Sequence, residues 1–93
     1  MEFEWDPEKA KSNLTKHGIA FTDAISVFDD LDHLEEDSTR PEFGEQRSRA
    51  IGEVTGRIIT VVFTDRWDRR RIISARSSRR NERQRYSQGQ ETR

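Results

Sequence analysis

Five arginines, Arg66, Arg71, Arg76, Arg79 and Arg80, fall within fifteen residues of a chain of 93. Guanidinium groups at that density suit phosphate, because each presents a planar fork of donors that grips two oxygens at once. Lined along one groove, they would hold a scissile phosphate and stabilise the extra negative charge of its transition state. RNA cleavage at such a site needs two more groups, a base for the 2′-hydroxyl proton and an acid for the leaving 5′-oxygen. Glu45 and His17 are the candidates for the base, and His17 and Tyr86 for the acid. Trp67, beside Arg66, offers a ring on which an unpaired nucleobase could stack, and Arg47 adds a cation next to Glu45. Each of these residues also has a plainer role. His17 can close a helix against orphan carbonyls, Tyr86 can anchor a helix in the core, Trp67 can close its loop, and Glu45 can pair with Arg47 or another strand arginine. Spacing alone therefore defines a phosphate-binding domain.

Other chemistries find less support. The chain has no cysteine, and His17 and His33 stand sixteen residues apart in different elements, so no zinc-ligand spacing exists. The pairs Asp29-Asp30 and Glu35-Glu36 read as turn and solvated-edge residues. No nucleophile-elbow motif supports a Ser-His-Asp site. No metal and no cofactor is expected.

The elements that must position these residues are legible in part. Asp6-Pro7-Glu8 reads as a helix start, with Asp6 as N-cap and Pro7 in the first helical position. Lys16, His17 and Gly18 read as its stop, so the spacing predicts a helix over 7–17. A second short helix follows, capped by Thr22, with Phe21, Ala24, Ile25 and Phe28 on one face and an end before Asp29-Asp30. An acidic edge strand is expected within Asp32–Asp37 and a loop over Ser38–Gln46, which holds Pro41 and Gly44. Three better strands are predicted at 47–54, 57–64 and 69–76, the first two joined by Thr55-Gly56 and the last two by a loop, Asp65-Arg66-Trp67-Asp68. Alternation puts Arg70, Ile72, Ser74 and Arg76 on one side of the last strand and Arg71, Ile73 and Ala75 on the other. A terminal helix is expected within Ser77–Ser87, capped by Ser78, with Glu82 and Tyr86 one turn apart. The result is an α+β fold: two N-terminal helices on one face of an antiparallel sheet of three to four strands, its other face wet, and a C-terminal helix. Residues 1–87 would form a single domain and 88–93 a disordered polar tail.

Composition sets the outer limits. With 30% apolar and 38% charged residues, the chain supports one compact core. It has no apolar run long enough to span a bilayer and no export signal at its start, and the expected location is the cytoplasm. The net charge of −1 hides a division along the chain. Residues 1–46 carry thirteen acids against four Lys and Arg, while residues 47–93 carry thirteen Arg, no Lys and five acids. Either the two halves neutralise each other within the fold, or the basic half awaits an anionic partner.

Two separated motifs carry a family likeness. The first is Phe3-Glu4-Trp5-Asp6, Lys9, then Asn13-Leu14-Thr15-Lys16-His17-Gly18-Ile19 with Phe21 and Ala24. The second is Glu45-Gln46-Arg47, Ile51-Gly52, Thr64-Asp65-Arg66, then Arg71-Ile72-Ile73-Ser74-Ala75-Arg76 with Glu82 and Tyr86. Together, over roughly residues 3–86, the chain resembles the BrnT toxins of bacterial type II toxin–antitoxin systems. It departs at Ser77-Ser78, where that family shows a basic residue and Ala. The resemblance implies a RelE-like fold and a metal-independent ribonuclease that inhibits translation. It also implies neutralisation by a BrnA-type ribbon-helix-helix antitoxin, with operator DNA bound only through the antitoxin complex, and no membrane partner. On that likeness Arg66 and Arg76 rank first for the phosphate, followed by Arg71, Glu45 and His17; the reading of the residues themselves adds Arg47, Trp67, Arg79, Arg80 and Tyr86 as RNA contacts. Two rivals stand beside it: a nucleic-acid-binding module without catalysis, and a protein whose arginines dock an acidic partner.

Overall fold

The computed structural model describes residues 1–91. The elements in chain order are β1 (Glu2–Glu4), α1 (Pro7–His17), α2 (Phe21–Ala24) running into a 3₁₀ turn (Ile25–Asp29), β2 (Leu34–Asp37), a 3₁₀ turn (Pro41–Phe43), β3 (Ser48–Val54), β4 (Arg57–Arg66), β5 (Arg69–Ser77) and α3 (Arg80–Glu91). The sheet order is β1-β5-β4-β3-β2, with β1 parallel to β5 and every other neighbour antiparallel. The α+β class stands, but the sheet is mixed and has five strands rather than three or four antiparallel ones. The added strand, β1, is three residues long, too short for alternation to reveal.

Helix α1 matches its signals. Asp6 Oδ1 accepts from the Glu8 N–H at 2.9 Å, and Gly18 closes the helix at φ 71°, its N–H donating to Leu14 O. Helix α2 starts one residue before the expected cap: Ala20, not Thr22, precedes it, and no side chain caps it, because burial of Phe21 sets its position. Since β1 pairs only with Arg69–Arg71, the outer edge of β5 beyond it lacks a strand. The buried side chain of Asn13 completes that edge. Its Nδ2 donates to Ala75 O at 2.9 Å and to Ile19 O at 3.0 Å, and its Oδ1 accepts from Ala75 N–H at 3.0 Å.

The core lies between the helices α1 and α2 and one sheet face, with Phe21, Val27, Ile59, Val61, Phe63, Ile72 and Ala75 buried together. Gly52 is required here: a Cβ would come within 2.9 Å of both His33 Cβ and Val27 Cγ2. Simple alternation along β5 fails, because a register shift opposite Val62/Phe63 pairs Ser74 with Val62 but Ile72 with Phe63. Ile73 is the extra residue of a bulge, so Ile72 and Ala75 both reach the core although they are three apart. Past the bulge, Arg76 turns to the face opposite the core, the face that Arg71 also occupies.

That second face is partly covered by α3. The helix runs on to Glu91, through positions 88–91 assigned from sequence to a disordered tail, and residues 92 and 93 lie outside the described residues. Ser78 is not its cap. It is buried, with its hydroxyl 2.8 Å from Thr60 Oγ1, while Glu82 reaches back to accept from Arg79 N–H at 2.7 Å. No helix among the described residues is long and apolar enough to cross a membrane.

Candidate active site

At one end of the sheet the last residues of β4 meet the segment entering β3. There Glu45, Gln46, Ser48, Thr64, Asp65 and Arg66 line a groove of about 350 Å³. Thr64 Oγ1 donates to Gln46 O at 2.7 Å, tying the entering segment to β4 and setting where Glu45 stands. The preceding loop is closed by Thr39, whose Oγ1 accepts from Arg47 N–H at 3.0 Å. Arg47 also lies over the Phe43 ring, 4.0 Å from its centre.

Arg66 was expected in a loop; it is the last residue of β4, paired with Arg69, and only Trp67 and Asp68 form the turn. A strand end is a stiffer mount than a loop. Arg66 Nη2 donates to Glu45 Oε2 at 3.1 Å, and Arg47 approaches Glu45 Oε1 at 3.4 Å. The Arg66 hydrogen bond, then Arg47, hold the Glu45 carboxyl below the usual range against the opposing effect of burial, so it is ionised at neutral pH. Arg66 remains 49% exposed in its side chain, so its guanidinium is open to solvent. Arg71 pairs across the ladder with Thr64 and so shares the Arg66 face. Its Nη1 donates to Glu4 Oε2 of β1 at 3.0 Å.

The other candidates lie elsewhere. Arg76 is gripped by Glu82, Nη1 to Oε1 at 2.7 Å and Nη2 to Oε2 at 3.0 Å. Glu82 is 2% exposed and also accepts from Thr60 Oγ1 at 3.1 Å. Burial alone would raise its pKa, but Arg76, the Arg79 N–H and Thr60 hold it down at about 2. Arg76 thus holds α3 on the sheet. Tyr86 is buried and donates to Asp30 Oδ2 at 2.6 Å, away from the groove; burial, then the Asp30 carboxylate, push its hydroxyl up to about 12. His17 lines a separate depression with Lys9, Lys16 and Ser74 beside β5. Arg79 and Arg80 are exposed at the opposite end of the sheet from Arg66. Trp67 is 100% exposed at the turn tip, with φ 54°, a left-handed conformation unusual for a bulky residue.

The charge division left internal neutralisation open, without naming the partners. Glu36 joins Arg85 (2.7 Å) and Arg49 (2.9 Å), and Glu35 lies 3.6 Å from Arg70. Arg85 first, then Arg49, keep the Glu36 carboxyl low despite burial. Arg70, bonded to Asp65 at 2.7 Å, lies over the rings of Phe63 and Phe28. The acidic stretch therefore serves the fold. Only the position of Glu82, three residues after Arg79 as in a capping box, gave a signal of its role.

Comparison with curated proteins finds no match. A family model described as the ribonuclease toxin BrnT of type II toxin–antitoxin systems matches residues 5–82, a span that contains the groove with Arg66 and the Glu82 anchor. The chain belongs to the BrnT family of ribonuclease toxins.

Proposed function

We propose that this toxin is a metal-independent endoribonuclease on a RelE-like fold that inhibits translation by cleaving RNA at the Glu45–Arg66 groove. The observation that carries this reading is the placement of an ionised carboxylate, Glu45, against a half-exposed arginine on a strand end. Arg66 and Arg71 hold the scissile phosphate and stabilise its transition-state charge. Glu45 takes the 2′-hydroxyl proton, the 2′-oxygen bonds to phosphorus, and the bond from phosphorus to the 5′-oxygen breaks. Solvent returns a proton to that oxygen, since His17 and Tyr86 lie elsewhere. The products are a 2′,3′-cyclic phosphate and a 5′-hydroxyl. Both carboxylates of the groove, Glu45 and Asp65, are engaged by arginines, which supports a reaction carried by guanidinium groups. Trp67 stacks on an unpaired base beside Arg66. A BrnA-type ribbon-helix-helix antitoxin covers the groove, operator DNA is bound through that antitoxin, and the pair works in the bacterial cytoplasm.

A binding module without catalysis is the second reading, favoured by the absence of a side-chain acid beside Glu45 among the candidates. Incubating the antitoxin-free protein with RNA in EDTA separates the two. Cyclic-phosphate ends support the ribonuclease, and RNA that is bound in a salt-sensitive way but stays intact both alone and with translating ribosomes supports the module. Cleavage that requires added magnesium contradicts metal independence.

A further inference from the structure

Eight of the thirteen described arginines stand in ion pairs, namely Arg47, Arg49, Arg66, Arg69, Arg70, Arg71, Arg76 and Arg85. Four of the remaining five gather at one corner, where β5 passes into α3. Arg57 Nη2 donates to Ser77 Oγ at 2.6 Å, Arg83 Nη1 donates to Ser78 O at 2.5 Å, and Arg79 and Arg80 follow directly in the chain. The two serines thus hold Arg57 and Arg83 beside Arg79 and Arg80. Among the described residues none of the four has a carboxylate within 4.0 Å. Everywhere else on the sheet this fold supplies acids to its arginines, and here it supplies none.

We propose that Arg57, Arg79, Arg80 and Arg83 form a second RNA-binding site, separate from the groove, that holds the phosphates of a single strand whose scissile bond lies at Arg66. This deepens the ribonuclease reading and rests on it. One observation favours RNA over an acidic protein. The outer face of α3 beside these arginines forms a shallow groove of about 450 Å³ lined by Arg80, Arg83, Gln84, Ser87 and Gln88, every one polar. Amide and hydroxyl donors between guanidiniums suit phosphate and ribose oxygens, whereas a protein partner needs an apolar or aromatic pocket for its anchors. The overall charge is −1, so attraction to RNA has to come from local clusters such as this one.

The geometry sets a length requirement. Arg57 and Arg66 are the two ends of β4, nine residues apart, or about 30 Å at ~3.3 Å per residue. A stacked strand advances ~3.4 Å per nucleotide, so roughly nine nucleotides join the two sites.

The test uses two double variants of the full chain, Arg80→Ala/Arg83→Ala and Arg79→Ala/Arg80→Ala, against a control of equal charge change, Lys9→Ala/Lys11→Ala on α1. Binding is read with 2′-O-methyl RNA of about 20 nucleotides, a span that covers both sites and cannot cyclise. Losing two phosphate contacts should lower the slope of log affinity against log salt by about 1.4, and the control should leave it unchanged. For cleavage, the ratio of kcat/KM on that length to kcat/KM on an RNA of about four nucleotides should fall in both arginine variants and hold in the control. An unchanged slope and ratio overturn the second site, as does a loss of antitoxin affinity with RNA binding intact. Failure of the wild type to cleave RNA either alone or with translating ribosomes overturns the ribonuclease reading itself, a result distinct from wild-type cleavage with indifferent arginine variants.

Discussion

Phe63 and Thr60 lie three residues apart on β4 and face opposite sides of the sheet. On the Phe63 side, α1, α2 and the following 3₁₀ turn pack by apolar contact, with Phe28 edge-on to Phe63 at 5.2 Å. On the Thr60 side, α3 is held by charge and hydrogen bonds: Glu82 to Arg76 and Thr60, Arg85 to Glu36, and Tyr86 to Asp30. The first face gives non-directional stability that tolerates pH and salt. The second gives position, and it titrates. Eight of the thirteen described arginines are paired with carboxylates within the fold, which leaves few for the RNA contacts proposed at the groove and at the β5–α3 corner.

The apolar face should be broken most severely by Phe63→Ala. Emptying that site costs about 3–5 kcal/mol, a large part of the ~5–14 kcal/mol available to a domain of this size. Thermal unfolding should show Tm falling by more than about 12 °C, at ~4–8 °C per kcal/mol; a fall of a few degrees would remove the core from the account. Arg76→Ala probes the charged face. It leaves Glu82 buried without its main counter-ion, at a cost of about 3 kcal/mol. Hydrogen exchange should then accelerate across α3 while the β3–β5 amides stay protected, and uniform acceleration would mean that the two faces do not act separately.

Acid should loosen the charged face before the apolar one. Glu82 has its folded pKa depressed from 4.5 to about 2, so its stabilisation is fully present above the unfolded value and is lost as pH falls from there through about 2. The amount is about 3 kcal/mol at most. Circular dichroism and denaturant melts between these limits should show a decline that Glu82→Gln reduces, the remainder belonging to Glu36 and Glu45, whose carboxyls are also held low. The smallest effect belongs to Arg69→Ala. Its pair with Glu2 is exposed on both sides at 3.6 Å, and its loss should change stability by less than about 0.5 kcal/mol. A larger loss would show that surface pairs contribute as the Glu82 cluster does.

How much of this was legible in the sequence follows from the same contrast. Local signals were reliable where one residue decides: Asp6 and Gly18 bound α1, and Thr55-Gly56, both at positive φ, turn β3 into β4. Long-range features were hidden. Strand β1 depends on a partner more than sixty residues away, and the bulge at Ile73 depends on how β5 meets β4. For the site, Glu45 and Arg66 were visible as residue types, but not the closure of Thr64 on Gln46 that brings them together. Arg76 and Tyr86 looked equivalent to Arg66 as chemistry until their partners, Glu82 and Asp30, were in place.

The central claim is that Arg66 carries the cleavage of RNA. The direct test is the single-turnover rate of Arg66→Ala on RNA in EDTA, with Tm measured on the same preparation. Removing a charged donor from a transition-state phosphate should lower the rate by about 10²–10³-fold, while the half-exposed position of Arg66 leaves Tm unchanged. Cleavage by Arg66→Ala at the wild-type rate would contradict the account.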